Sequence, residues 1–212
     1  MNDRIDIRAI HTDMKIITAL LNGLYETIAD RVYSMSGRRK ADQLNKKFEY
    51  WREKAEQGDA DAQTSLALMY HQGEGVPKDE VKSVEWYRKA AEQGDESGQF
   101  CLGLSYADGE GVPKDGVKAV EWFRKAAEQG NTAAQSCLAE MYAKRQDVPR
   151  DLVKAYMYYN LASVTDSETC TLSGTNSDPG KMRDELAKEM TPDQIAEAQR
   201  LTSEWKPTVQ PK

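Results

Sequence analysis

Residues 95–130 decide the fold, and they read DESGQFCLGLSYADGEGVPKDGVKAVEWFRKAAEQG. Two parts of this stretch occur three times in the chain, at a spacing of 36 residues. The segment Ala-Glu-Gln-Gly stands at residues 55–58, 91–94 and 127–130, and Val-Pro-Lys/Arg-Asp stands at residues 76–79, 112–115 and 148–151. Self-similarity at a fixed period of this length is typical of repeat proteins, in which each copy is one small structural unit.

Each copy predicts two helices, here called helix A and helix B. A glycine can take the left-handed conformation that ends one helix, and the Asp or Asn after it can cap the next; these pairs are Gly58-Asp59, Gly94-Asp95 and Gly130-Asn131. Helix A has an apolar stripe, which in the first copy contains Ala62, Leu66, Met69, Tyr70 and Gly73. Pro77 prevents the continuation of helix A, and Asp79 caps helix B. We interpret the aromatic residues of helix B, Trp86 and Tyr87 in the first copy, as packing residues.

The second copy contains the segments Leu102-Gly103-Leu104-Ser105-Tyr106, Gly109-Glu110-Gly111-Val112, Trp122-Phe123 and Ala126-Ala127. This pattern resembles the Sel1-like repeat, a relative of the tetratricopeptide repeat. The other copies depart from it in places: Ala67 and Ala139 replace the glycine of helix A, and Arg145 and Asp147 replace both loop glycines of the third copy. We therefore expect a different loop shape in the third copy. The resemblance implies an all-α fold, an α-solenoid of Sel1-like helix-turn-helix repeats.

We predict about three full repeats with capping helices at both ends. The predicted segments are an amphipathic N-terminal capping helix (1–35), a half-repeat helix (36–58), repeats at 59–94, 95–130 and 131–164, a flexible loop (165–180), C-terminal capping helices (181–206) and a tail (207–212). The N-terminal helix has an apolar face that includes Leu20, Leu24 and Ile28, and its alternative role is to dock a partner or form a dimer. The C-terminal segment resembles the ending of many bacterial Sel1-type proteins, which seals the open end of a solenoid.

The composition bounds the class of partner and the location of the protein. The net charge of −6 argues against a nucleic-acid-binding protein. The three cysteines include no Cys-x-x-Cys pair, which favours a reducing compartment. No apolar run approaches the roughly 20 residues that span a bilayer. We therefore expect a cytoplasmic monomer without membrane insertion.

The sequence shows no catalytic set. Its two histidines, His11 and His71, have no obvious partners along the chain, and the sequence contains no His-Glu-x-x-His motif, phosphate-binding glycine loop or Gly-x-Ser-x-Gly motif. We therefore predict no catalytic residue, no cofactor and no metal site. The repeats favour a non-catalytic scaffold or adaptor, whose partner is a peptide or helical segment of another protein.

Two alternative functions stay open. A disulfide-rich branch of the Sel1-like family is linked to β-lactam hydrolysis, and a hydrolase of this kind is the first alternative. Proteins of that branch carry paired cysteines between helices A and B, whereas Cys101 and Cys137 hold one repeat position without such partners. This difference disfavours the hydrolase. The second alternative is an envelope-associated assembly factor.

The predicted binding surface is the face of helix A that lies opposite its contact with helix B, because helix A usually lines the inner surface of such a solenoid. The residues of this predicted groove are Thr64, Leu68, His71, Phe100, Leu104, Ser136 and Glu140. These positions differ between the copies, as a recognition surface permits. Leu68, Phe100 and Leu104 would anchor the partner. In the alternative interpretation, Leu68 and Leu104 are buried against the adjacent repeat.

Overall fold

The computed structural model describes residues 37, 39–144, 147–164, 169–170 and 176–207. The chain divides into two compact units, Met1–Lys47 and Phe48–Lys212. In the first unit, the described residues 37 and 39–47 are helical. The N-terminal capping helix predicted over 1–35 lies outside the described residues. The second unit begins with helix α1, over residues 48–56, and contains the three repeats.

Helices A and B of the repeats follow one another in pairs. They are α2 (Ala60–Gln72), α3 (Glu80–Glu92), α4 (Glu96–Asp108), α5 (Gly116–Glu128), α6 (Thr132–Lys144) and α7 (Leu152–Ala162). Two short strands and two helices come next: β1 (Thr169–Cys170), β2 (Asn176–Ser177), α8 (Pro179–Ala187) and α9 (Pro192–Glu204). Within each pair helix A packs on helix B, and helix B packs on helix A of the next pair. This nearest-neighbour stacking is that of an α-solenoid, so the predicted fold class is confirmed.

The turn between the helices of a pair is set by a left-handed glycine and an aspartate. Gly73 and Gly109 end α2 and α4 with φ values of 69° and 79°, which a residue with a side chain rarely adopts. Asp79 and Asp115 then begin α3 and α5, and their carboxylates accept hydrogen bonds from the backbone N–H groups of Lys82 and Lys118 at 3.0 and 3.1 Å. Asp151 caps α7 in the same way. The sequence predicts these caps, and the structure contains them.

Each repeat buries one leucine of helix A and one aromatic residue of helix B at equivalent positions. The leucines are Leu66, Leu102 and Leu138, and all three are fully buried. The aromatic residues are Tyr87, Phe123 and Tyr159, and each is at most 4% exposed. Gly103 faces Phe123 so closely that an added Cβ atom would lie 2.6 Å from the ring. The glycine of the repeat pattern therefore makes room for the aromatic ring of its own repeat.

Hydrogen-bonded glutamines, of which Gln63 and Gln99 are buried, connect each repeat to the previous one. The Gln129 amide donates to the side-chain oxygen of Gln99 (2.8 Å), and the Gln99 amide donates to the carbonyl oxygen of Ala91 at the end of α3 (3.3 Å). The same connection occurs one repeat earlier, through Gln93, Gln63 and Ala55. The last carbonyl groups of a helix have no partner within it. This glutamine ladder adds a side-chain donor to such a carbonyl group, and it gives the Gln of the Ala-Glu-Gln-Gly segment a structural role.

Among the described helices, none is both long and apolar enough to cross a membrane.

The C-terminal helices α8 and α9 pack on α7, the last helix of the repeats. Helix α9 starts at a capping box, in which Thr191 and Gln194 each bond the other's backbone N–H.

The ladder predicts that Gln129→Ala lowers the free energy of unfolding by about 1–2 kcal/mol, because Gln99 and the Gly94 carbonyl both lose a donor. Gln57 is the matched control, since it holds the same place in the first Ala-Glu-Gln-Gly segment but is exposed, and among the described residues its side chain donates only to Glu53, at 3.5 Å. Gln57→Ala should change the stability by less than about 0.5 kcal/mol. Urea unfolding followed by circular dichroism measures both. Equal effects of the two substitutions would contradict a role for the ladder.

The caps predict a loss of stability in acid. The hydrogen bond from the Lys118 backbone N–H, followed by the Lys118 ammonium, holds the pKa of Asp115 below its ordinary value. A lowered pKa in the folded state gives stability that is present above the ordinary pKa and is lost as the pH falls through the folded value. Asn caps helices as well as Asp but has no charge to lose. The difference in urea midpoint between wild type and Asp115→Asn should therefore shrink as the pH falls from about 7 to about 2.5. A difference that stays constant would show that the ionised Asp115 carboxylate does not cause the loss of stability in acid.

Candidate functional site

The predicted groove residues of the first two repeats form a partly exposed apolar surface. Leu68 on α2 is 42% exposed, and Phe100 and Leu104 on α4 are half-buried. The Phe100 ring packs at a tilt against the Phe123 ring, with their centroids 5.8 Å apart. Phe100 and Leu104 thus contribute to the core with one side and to the surface with the other. We call Leu68, Phe100 and Leu104 the apolar strip.

Thr64 belongs to the connection between repeats. Its hydroxyl donates to the carboxylate of Asp95 at 2.8 Å, and the same carboxylate oxygen accepts the Gly98 backbone N–H. Asp95 is the residue that caps α4. Thr64 therefore holds α2 against the beginning of α4.

The third repeat differs from the other two, because Ser136 and Glu140 are 0% and 4% exposed. Strand β1 lies against α6, the helix that carries them. The strand pairs with β2 in an antiparallel ribbon, with Thr169 opposite Ser177. The segment predicted as a flexible loop over 165–180 thus contains a two-stranded ribbon and the first turn of α8, while 165–168 and 171–175 lie outside the described residues. The exposed part of the predicted groove is confined to the first two repeats.

Glu140 is a buried carboxylate at the edge of this covered region. One of its oxygens forms an ion pair with Lys144, and the other has no hydrogen-bond partner among the described residues. Burial, followed by the charge of Glu140, raises the pKa of the neighbouring Tyr159 hydroxyl. Tyr159 therefore stays neutral and serves as a packing residue of α7.

His71 has charged neighbours that sequence spacing does not predict. Its Nδ1 atom lies 3.0 Å from Oε2 of Glu80, the first residue of α3, and 3.7 Å from Oε2 of Glu110, in the loop after α4. The Lys78 ammonium lies 2.6 Å from the other oxygen of Glu80. We call His71, Lys78, Glu80 and Glu110 the His71 cluster. Its members come from both of the first two repeats, so no local motif in the sequence indicates it.

The electrostatics of the cluster favour an ionised Glu80. Burial alone would raise the pKa of Glu80, but the hydrogen bonds and charges of Lys78 and His71 together lower it below the ordinary value. The pKa of Lys78 is raised in turn, chiefly by its hydrogen bond to Glu80. On the other side of the loop, burial and the charge of Glu110 raise the pKa of Asp108. The cluster thus concentrates negative charge around one imidazole.

Cys101 of the second repeat is a thiol. It is free, and burial raises the pKa of this thiol to about 11. A thiol with such a pKa is almost wholly protonated at neutral pH and is a poor nucleophile. The equivalent position of helix A in the first copy is Ser65, so this position holds a small residue in all three copies.

Comparisons with known proteins agree with this architecture. The model of the Sel1 family, described as Sel1 repeat, matches residues 60–95, 97–131 and 132–163. A Sel1 repeat protein from Oxalobacter formigenes has 26% sequence identity and a TM-score of 0.61, and the match covers 76% of this chain and 65% of that one. A protective antigen present in uropathogenic Escherichia coli strains, displaying an SLR fold, has 32% identity and a TM-score of 0.53, over 74% of this chain and 40% of that one.

The chain spans less than two thirds of the length of either protein. A search of the curated proteins found no match. The matched segments nevertheless coincide with the three helix pairs α2–α3, α4–α5 and α6–α7. This protein contains three Sel1 repeats.

Proposed function

We propose that this protein is a non-catalytic scaffold that binds a segment of another protein on the apolar strip of its first two repeats. The observation that carries the proposal is the exposure of Leu68 on α2 together with the partial exposure of Phe100 and Leu104 on α4, a helix that contacts α2. Sel1 repeats are typical protein-interaction modules, and an apolar strip along adjacent helices suits an extended or helical segment.

The strip provides a small anchor rather than a deep pocket. Phe100 is held in place by Phe123, so a partner that covers it orders few new side chains on this protein. Because few side chains of this protein lose conformational entropy on binding, more of the free energy gained by burying apolar area contributes to the affinity. The covered third repeat limits the strip to α2 and α4, and a partner segment of two to three helical turns would span it.

The alternatives receive less support. The hydrolase depends on paired cysteines, whereas Cys101 is a free thiol. An envelope-associated assembly factor has no feature in its favour among the described residues. The cytoplasmic location and the monomeric state stay predictions from the composition of the chain.

We predict that Leu68→Asp abolishes capture of a partner from native host lysate while the helical content stays unchanged, because an exposed side chain contributes little to folding. With the purified partner, affinity should fall at least about tenfold, as expected for a central apolar contact. Leu104→Asp is a poorer probe, since Leu104 also packs against the core.

Val81→Asp is the matched control. Val81 on helix α3 is 57% exposed, so the substitution removes a comparable exposed apolar side chain outside the strip. Partners should persist with this variant. Loss of the same partners with Val81→Asp, together with their retention by Leu68→Asp, would move the binding site from the strip to the helix B surface.

A further inference from the structure

The junction of the first two repeats brings together three groups that can bind a metal. The imidazole of His71 and the carboxylates of Glu80 and Glu110 each place one ligand atom within 4.8 Å of the others. A tetrahedral zinc ion with ligands at about 2.0–2.1 Å requires ligand atoms about 3.3 Å apart. The distances from His71 Nδ1 to the two carboxylate oxygens are 3.0 and 3.7 Å. Small side-chain rotations would therefore produce the required geometry.

The backbone holds two of these groups side by side. Gly111 has a φ of 70°, and a Cβ atom added to it would lie 2.2 Å from the carbonyl oxygen of Glu80. The loop after α4 thus meets the start of α3 at a distance that only glycine permits. Glu110 precedes this glycine, so its position relative to Glu80 is fixed by backbone packing and not by side-chain chemistry alone.

The ligand types select the class of metal. One imidazole nitrogen with two carboxylate oxygens suits Zn²⁺ and similar divalent transition metals, whereas Mg²⁺ and Ca²⁺ prefer oxygen ligands throughout. Two carboxylates would balance the charge of the ion, and water would complete the tetrahedron. The Lys78 ammonium lies 2.6 Å from Oε1 of Glu80, whereas His71 Nδ1 lies 3.0 Å from Oε2, so Oε2 is the oxygen that faces the imidazole. Binding would replace any proton on His71 Nδ1.

The cluster is not a requirement of the repeat. At the equivalent positions of the next repeat the chain has Ala107, Gly116 and Gln146, none of which is a common metal ligand. There Asp147 instead packs on Gly116 and forms an ion pair with Lys114 at 2.9 Å. The repeat thus folds with residues at these positions that do not bind metals. Variants of the first repeat that carry the same residues should therefore keep the fold.

We propose that His71, Glu80 and Glu110 form a binding site for one Zn²⁺-class divalent transition metal, which joins the first repeat to the second. The proposal does not depend on the proposed scaffold function. The metal connects the end of α2, the start of α3 and the loop after α4, and it stabilises the junction because it binds only the folded arrangement.

The test uses the full chain, calorimetric titration with ZnCl₂ and two variants that copy the next repeat, His71→Ala and Glu110→Gln. Wild type should bind one Zn²⁺, and saturation should raise the unfolding midpoint by about 5–10 °C. Each variant should weaken binding at least about tenfold. Glu74→Gln, the position equivalent to Glu110 one repeat earlier, is the matched control and should bind as wild type does.

The histidine ring signals in the NMR spectrum locate the ion. The chain contains two histidines, so the His71→Ala variant assigns both. Zn²⁺ should shift the signals of His71 at stoichiometric amounts and leave those of His11 in place. Absence of binding to wild type would overturn the proposal, as would unchanged affinity in both test variants or a zinc-induced shift at His11 alone.

Discussion

The hydrogen bond from the Gln99 side chain to the carbonyl oxygen of Ala91 fixes one repeat against the end of the previous one. Ala91 lies in the last turn of α3, and its carbonyl oxygen accepts this hydrogen bond in addition to one from the backbone N–H of Gly94 at 3.1 Å. Gln129 completes the connection by bonding Gln99 from the following helix B. The orientation of every helix A, and with it the direction in which its outer face points, depends on this polar contact within an apolar stack.

In this regular stack one face of each helix A does not pack against another repeat. The exposure of that face differs between the first repeat and the third. In the first repeat Leu68 is exposed to solvent. In the third repeat the residues at the corresponding face are buried, and the ribbon of the insertion lies against the helix. The insertion therefore divides a repeated surface into an open part, which we propose binds a partner, and a covered part that belongs to the core of the molecule.

The junction of the first two repeats also differs from the next one in its chemistry. The repeat geometry brings the end of each helix A near the start of helix B and near the loop that follows. At the first junction these positions hold His71, Glu80 and Glu110, and at the second the chain has Ala107, Gly116 and Gln146 there. A neighbouring pair, Lys114 and Asp147, forms an ion pair at the second junction. The polar contacts at this place thus differ between repeats, whereas the helix pairs recur.

The sequence by itself determined the repeats, their helices and their caps, because these depend on contacts between residues that are close along the chain or that recur with a fixed period. Asp79, Asp115 and the left-handed glycines are examples. Only the tertiary structure decided that Ser136 and Glu140 are buried and that His71 meets Glu110. The covering ribbon lies outside the repeat period, and the contact of His71 joins two repeats through side chains that no local pattern pairs. Contacts of this kind arise from how whole helices stack, which the periodicity of one sequence does not encode.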